Sequence, residues 1–343
     1  MQQVSGKART RAGKFGQPGN WSVVGHEWAV AWLQCSLANN RVSHAYCITG
    51  PPHVGKTTLA KAFATALLCQ AEPGQRPCGH CLACRKLATD NHPDLRLVEA
   101  AGTTIRIDQI RELRQEAVLS PVEGRYKVFI LPEMERATAA AANALLKTLE
   151  EPPPHVVLLL TATRRDALLP TITSRCQMVN LRALPVTQVE SALRDHWNAT
   201  PERAALLARL SAGRLGQAVC ILQDEHRLER RTAWLDDLVR LCRSGRAARL
   251  LYAEELARQR EVIPEVLMLW SSWWRDLLLL QVGHSGEVTN IDRNDELEKM
   301  AQQLTPDQVR VAVQVVTATA RYLEANVNVR LALDVMLLKL PYL

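Results

Sequence analysis

Two stretches of the chain combine residue types and spacing suited to binding chemistry. The first is Gly50-Pro51-Pro52-His53-Val54-Gly55-Lys56-Thr57, which reads G-x-x-x-x-G-K-T. Its glycines let the backbone curl so that successive N–H groups point inward at phosphate oxygens. Lys56 has the reach for the outer phosphates, and Thr57 brings a hydroxyl for Mg²⁺. With Gly50, Gly55 and Thr58, these are the expected nucleotide-binding residues. The second stretch holds Cys69, Cys78, Cys81 and Cys84, spaced C-x8-C-x2-C-x2-C. Four thiolates satisfy tetrahedral Zn²⁺, and two-residue gaps let neighbouring cysteines grip one ion. Four protein ligands close the shell, so the expected ion is structural. His80 lies inside the cluster but is not needed as a ligand.

A phosphate loop needs a strand before it and a helix after it. Residues 45–49 read as a short buried strand. Residues 57–69 read as a helix, with Leu59, Ala62, Phe63, Ala66 and Leu67 at helical spacing. The N-terminus of that helix adds its positive end to the anion site. Further on, the pattern predicts a strand over 95–98 and a helix over 109–117 with Asp108 as its N-cap. A buried strand over 126–131 and an Ala-rich helix over 138–151 follow, the latter stopped by Pro152-Pro153-Pro154. A third buried strand covers 156–160, and a short strand runs to Leu181. Strands alternating with helices predict an α/β module with a parallel sheet and flanking helices. Upstream, 23–37 reads as a helix whose Trp28 and Trp32 are expected in the core.

In a phosphate-loop hydrolase, the strand ending near Leu131 should deliver an acid for Mg²⁺ and then a glutamate that activates water. Here Pro132 takes the metal position and Glu133 the base position. A proline brings no metal ligand, which argues against hydrolysis. Thr163, after the third strand, is placed to orient water beside a γ-phosphate.

A chain of 343 residues predicts two or three domains. No apolar run approaches the roughly 20 residues of a membrane span. The first 20 residues are basic and lack the apolar segment of a signal peptide, so a cytoplasmic location is expected. They read as a disordered tail. Nine cysteines, four of them clustered, favour metal binding over disulfides in a reducing compartment. The net charge of +7 suits a nucleic-acid partner, and equally a merely basic surface. Beyond the charged stretch 224–231 the pattern is helical, with a polar break over 283–294. Trp270, Trp273 and Trp274 form an apolar band with Leu267, Leu277 and Leu278. It reads as a subunit interface or core rather than a base-stacking platform.

Residues 22–182 resemble the AAA+ module of bacterial DNA polymerase III clamp-loader subunits. The resemblance is carried by Val24-Gly25-His26-Glu27, His44-Ala45-Tyr46, the phosphate loop and the four-cysteine insertion. It is carried most specifically by Asn143-Ala144-Leu145-Leu146-Lys147-Thr148-Leu149-Glu150-Glu151-Pro152-Pro153 and by Ser174-Arg175-Cys176. It implies a disordered basic tail over 1–20, an AAA+ P-loop domain over 21–184 with a zinc module over 69–90, a helical lid over 185–240 and a helical collar domain over 241–343. The family contains a motor type (gamma/tau) and a stator-like type (delta-prime). Pro132 favours the stator. So does Gly216, which falls where motors carry a lid arginine; Arg214 lies two residues early. The chain also ends at Leu343 without a long extension of the tau kind. The intact phosphate loop points the other way, so nucleotide binding is expected to survive where hydrolysis is lost.

By resemblance, the assembly is a pentameric loader that opens a ring-shaped sliding clamp and closes it on primed DNA. Arg175 would be an arginine finger acting in trans on a neighbouring motor's nucleotide. Glu133 would be a vestigial base and Thr163 sensor-like. Arg106, Lys147 and Thr171 match positions that touch the DNA phosphate backbone, which carries no base code. The implied partners are gamma/tau and delta subunits, the sliding clamp and primed DNA, with no membrane. The implied cofactors are structural Zn²⁺ and ATP or ADP with Mg²⁺. Two rival readings stay open. One is a working ATPase motor using Lys56, Thr57, Glu133 and Thr163. The other is a non-replicative zinc-containing regulator that holds nucleotide as a structural ligand.

Overall fold

Fully buried strands and their period of two build the centre of the first half of the chain. In the computed structural model, β1 (Ala45–Thr49) is buried along its whole length. Tyr46 and Ile48 face one side of the sheet, Ala45 and Cys47 the other. β3 (Lys127–Leu131) and β4 (Val156–Ala162) are buried throughout in the same way. A strand covered on both faces is apolar at nearly every position, and a parallel sheet between two helix layers supplies that cover. With β2 (Leu95–Leu97) and β5 (Gln177–Asn180), the strands form one parallel sheet in the order β2-β3-β4-β1-β5. Helices α1 (Glu27–Ala38) and α2 (Lys56–Leu68) cover one face. A short helix, α3 (Leu82–Ala88), follows the cysteine loop. Helices α4 (Ile107–Val118), α5 (Ala139–Glu150) and α6 (Pro170–Thr173) cover the other face. This is an α/β architecture, a parallel sheet between two layers of helices.

The structure describes residue 19 and residues 21–224, 226–325 and 327–343. The basic stretch expected to form a tail lies outside them, Gly19 excepted. Two compact units result. The first holds the residues up to Asn198 together with Gly213–Gly216, and the second holds Ala199–Ala212 with Gln217–Leu343. The first closes with α7 (Val186–Trp197). The second contains α8 (Pro201–Leu210), most of α9 (Leu215–Gln223), α10 (His226–Cys242), α11 (Arg246–Arg258), α12 (Ile263–Gln281), α13 (Asn294–Gln303), α14 (Pro306–Glu324) and α15 (Val329–Lys339). Among its described residues there is no strand.

The second unit is built on α12. Trp270, Trp273 and Trp274 are all completely buried in its core, so the tryptophan band is packing and not a platform. Trp270 stacks on Tyr252, with centroids 6.0 Å apart, and its Nε1 donates to Trp234 O at 2.9 Å. Buried Arg249 ties two helix ends together. Its guanidinium donates to Leu241 O and Ser244 O at the end of α10, and to Leu337 O, Leu340 O and Pro341 O at the end of α15. Helix C-termini leave carbonyls without intrahelical partners, and this one cation satisfies several of them.

Three local expectations are corrected. Trp28 and Trp32 are not core: they are 55% and 40% exposed. The buried stripe of α1 is Ala29, Leu33 and Leu37, one residue further along, which rotates both tryptophans about 100° away from it. The helix expected over 23–37 starts only at Glu27, because Gly25 and His26 both have left-handed backbones. Asp108 is not the N-cap of α4. Arg106 holds that position in an extended conformation, and the Gln109 side chain accepts its N–H at 3.0 Å. Asp108 sits in the first turn, paired with Arg111.

Candidate nucleotide site and metal centre

The phosphate loop leaves the C-terminal end of β1, beside the place where the sheet order reverses. Open parallel sheets bind ligands at such points. Gly50 is required by close approach: a Cβ there would lie 2.5 Å from Leu181 O. Gly55 caps α2 without any side-chain cap, so the first-turn N–H groups face outward as an anion site. Lys56 is buried, and its Nζ donates to Gly50 O at 2.7 Å and to Pro51 O at 2.9 Å. Burial lowers its pKa, while the negative charges of Glu135 and Glu133 pull it back up. His26 Nε2 bonds Val54 O at 3.1 Å and ties the start of α1 to the loop. The donor set and the glycine cradle fit a nucleotide phosphate chain.

They fit Mg²⁺ poorly. Pro132 has no ligand atom at the position after β3. Glu133 has a left-handed backbone, and its Oε2 is held by Arg136 Nη1 at 2.8 Å. Arg136 is itself fixed by Thr103 O and Gly102 O. Thr163 donates its N–H to Glu135 Oε1 at 3.0 Å, and the other oxygen of Glu135 is buried without a partner. The sequence reading gave Glu135 no role. Its only signal there was a second acid two residues past Glu133.

Position 216, where the resemblance places the lid arginine of a motor, is closed. Gly216 N–H donates to His53 O at 2.9 Å, and a Cβ at 216 would come within 2.7 Å of the same oxygen. No side chain fits there without moving the phosphate loop. Arg214 is partly buried, and burial lowers its pKa.

The four cysteine sulfurs converge, all within 4.8 Å of one another. The separations Cys69 to Cys81 and Cys78 to Cys84 are 3.9 Å and 4.0 Å. Metal–sulfur bonds of ~2.3 Å in a tetrahedron imply ~3.8 Å between sulfurs. Backbone N–H groups of Cys78, Cys81 and Cys84 point at the Sγ atoms of Cys69, Cys78 and Cys81, at 3.3–3.4 Å. Such donors stabilise thiolates, so the cluster fits a tetrahedral soft-ligand metal. His80 Nδ1 bonds Cys78 O instead.

Arg175 follows α6 and is partly exposed, while Cys176 beside it is buried in the sheet-side core. Burial, with the nearby Cys47, raises the Cys176 thiol to about 12 and keeps it neutral. The arginine Nη2 lies 2.9 Å from Glu150 Oε1, and its Nη1 donates to Thr171 O at 2.9 Å. Arg106, Lys147 and Thr171 are all exposed. Lys147 and Thr171 lie on packed neighbours, α5 and α6. Arg106 lies near the opposite end of α5 from Lys147. The N-terminal ends of α4 and α5 lie together, since Thr138 N–H bonds Ile105 O. Lys147 is eight residues further along α5, about 12 Å at ~1.5 Å per residue.

A family model described as DNA polymerase III, delta subunit matches residues 25–185. Another, described as DNA polymerase III, delta subunit, C terminal, matches residues 225–341. The chain is 30% identical over 315 residues to DNA polymerase III subunit delta' of Bacillus subtilis, covering 90% of this chain and 94% of that protein. It is 37% identical over 204 residues to DNA polymerase III subunit tau of Escherichia coli, covering 58% of this chain but only 32% of tau. Among solved structures it is similar to a DNA polymerase III gamma subunit-related protein from Thermotoga maritima, at a TM-score of 0.39 and 22% identity, covering 90% of this chain and 97% of that one. No described helix is long and apolar enough to cross a membrane.

Proposed function

Because the chain belongs to the family of DNA polymerase III clamp-loader subunits, related to gamma/tau, we propose that it is the stator-like, delta-prime type of subunit. In this reading it works in the cytoplasm with gamma/tau and delta partners to load a sliding clamp on primed DNA. It binds ATP or ADP at Gly50, Gly55, Lys56, Thr57 and Thr58 and does not hydrolyse it. Its Cys69, Cys78, Cys81 and Cys84 hold a structural zinc ion. Residues 21–184 form the AAA+ domain, 185–240 the lid and 241–343 the collar. Lys147 and Thr171, with Arg106 as a separate contact, meet the DNA backbone.

The observation that carries this reading is the state of the hydrolytic positions. Proline stands where a metal acid belongs, and the following glutamate is neutralised by Arg136 at 2.8 Å. Closure of the lid position by Gly216 against His53 O supports it further. Arg175 is presented on the surface, and a guanidinium there would act in trans: it would stabilise the charge that spreads over a neighbour's γ-phosphoryl oxygens.

Two measurements test the proposal. The purified chain should turn over ATP no faster than its Lys56→Ala variant. It should also co-assemble with gamma/tau and delta subunits. Rapid hydrolysis that Lys56→Ala abolishes would replace the stator with a motor. Failure to co-assemble would favour a regulator outside replication.

A further inference from the structure

A nucleoside triphosphate carries several negative charges, and phosphate-loop sites usually offset them with one lysine and one Mg²⁺. This site has the lysine but lacks the acid that would hold the metal, at Pro132. Of the two carboxylates near the loop, Glu133 is held by Arg136 and Glu135 is engaged as well. It already accepts the Thr163 N–H and acts as counter-charge to buried Lys56.

The sheet offers arginine in its place. A cavity of about 570 Å³ opens beside Gly50 and Pro51, walled by Arg164, Arg165, Asn180 and Arg182. The topology brings these residues together. β4 and β5 flank β1 in a parallel sheet, so the residues just past all three strands converge on the phosphate loop. Thr49 Oγ1, at the end of β1, donates to Asn180 Oδ1 at 3.4 Å. Arg164 pairs with Asp166 at 3.5 Å. Among the described residues, Arg165 and Arg182 have no ion-pair partner, and both side chains are exposed at the cavity rim. A guanidinium keeps its charge and presents a planar fork of donors that matches phosphate oxygens.

We propose that the phosphate loop, Arg165 and Arg182 form one polyanion site that takes a nucleoside triphosphate without a divalent cation. The inference rests on the reading of the loop as a nucleotide site. It adds that arginines do the work the metal does elsewhere. Exposed charges are screened by salt, so the affinity falls as ionic strength rises.

The test is a fluorescence titration of the full chain with N-methylanthraniloyl-ATP, in Mg²⁺ buffer and in EDTA. The affinity in EDTA should stay within about threefold of that in Mg²⁺, less than one decade of binding constant. The double variant Arg165→Ala/Arg182→Ala should weaken binding in EDTA by roughly 100-fold, about tenfold per charge-assisted contact. Its melting curve should match wild type, because both side chains are exposed. Lys56→Ala should weaken binding in both buffers, which assigns the ligand to the loop. Binding that requires Mg²⁺ overturns the metal-free site and leaves the nucleotide reading standing. Absence of binding in both buffers overturns the two together. Binding in EDTA that ignores the double variant, or ignores Lys56→Ala, overturns this proposal.

Discussion

Replacing Arg175 by alanine separates a role inside the chain from a role in trans. Within the chain, its guanidinium meets Glu150 at 2.9 Å and Thr171 O at 2.9 Å. The two side chains of the ion pair are 36% and 49% exposed, so solvent screens it. Such a pair is worth at most about 1 kcal/mol, and its loss should shift the melting temperature by no more than about 4 °C. A finger at a transferring phosphoryl group is worth about 10³ to 10⁵ in rate, or about 4–7 kcal/mol. The two magnitudes differ enough to be told apart. They also fix the behaviour of Glu150, which must release the guanidinium before it can reach a neighbour. Glu150→Gln removes that restraint and should speed turnover by at most about fivefold, the equivalent of ~1 kcal/mol. The assay is single-turnover ATP hydrolysis by a loader assembled with gamma/tau and delta subunits, with assembly followed by gel filtration. If Arg175 acts in trans as proposed, only motor sites that border this chain lose their finger in Arg175→Ala. The trace should therefore gain a slow phase whose amplitude equals the fraction of such sites. Wild-type kinetics in every phase would refute the reasoning. So would an Arg175→Ala chain that no longer assembles, since the guanidinium would then be structural.

Cys84→Ser should lower bound zinc well below one ion per chain, read with a chromogenic chelator, and make the 69–90 segment sensitive to protease. Arg249→Ala leaves several helix-end carbonyls without their buried cation. It should destabilise the second unit by about 3–5 kcal/mol, followed in urea by the fluorescence of Trp270, Trp273 and Trp274. Asp276 is buried, and burial raises its pKa, although Thr289 N–H, Asn290 N–H and the Asn290 side chain all donate to Oδ2. The folded chain therefore holds this proton more tightly than the unfolded chain. The stability contribution is complete below the ordinary carboxylate pKa and declines as pH rises through the folded value. Asp276→Asn should remove that decline, measured as unfolding free energy across about pH 4 to 7.

Local features were legible in the sequence because local chemistry enforces them. A tight phosphate turn needs glycine at Gly50, and two-residue gaps bring Cys78, Cys81 and Cys84 around one point. Strands buried on both faces must be largely apolar, as β1, β3 and β4 are apart from Thr49, Lys127 and Thr161. The helix boundary at Arg106 was not legible, because the Gln109 side chain competes with Asp108 and takes the capping contact. Trp28 and Trp32 misled for a different reason. Two aromatics one turn apart define a helical face, but only the neighbours decide whether that face turns inward.

By itself the sequence determined which atoms are available: four thiolates, a lysine after a glycine-rich turn, a proline in place of a metal acid, and an arginine behind a serine. Spacing along one chain sets such inventories, and no fold is needed to read them. Tertiary structure alone decided which of those atoms are already engaged and which meet. Glu133 is engaged by Arg136, whose guanidinium is held in turn by Thr103 O and Gly102 O, more than 30 residues earlier in the chain. The collision that forbids a side chain at 216 joins residues 163 positions apart. Arg165 and Arg182 reach one cavity because β4 and β5 both neighbour β1. Strand order is fixed by how whole faces bury against helices, and no window of sequence contains that sum.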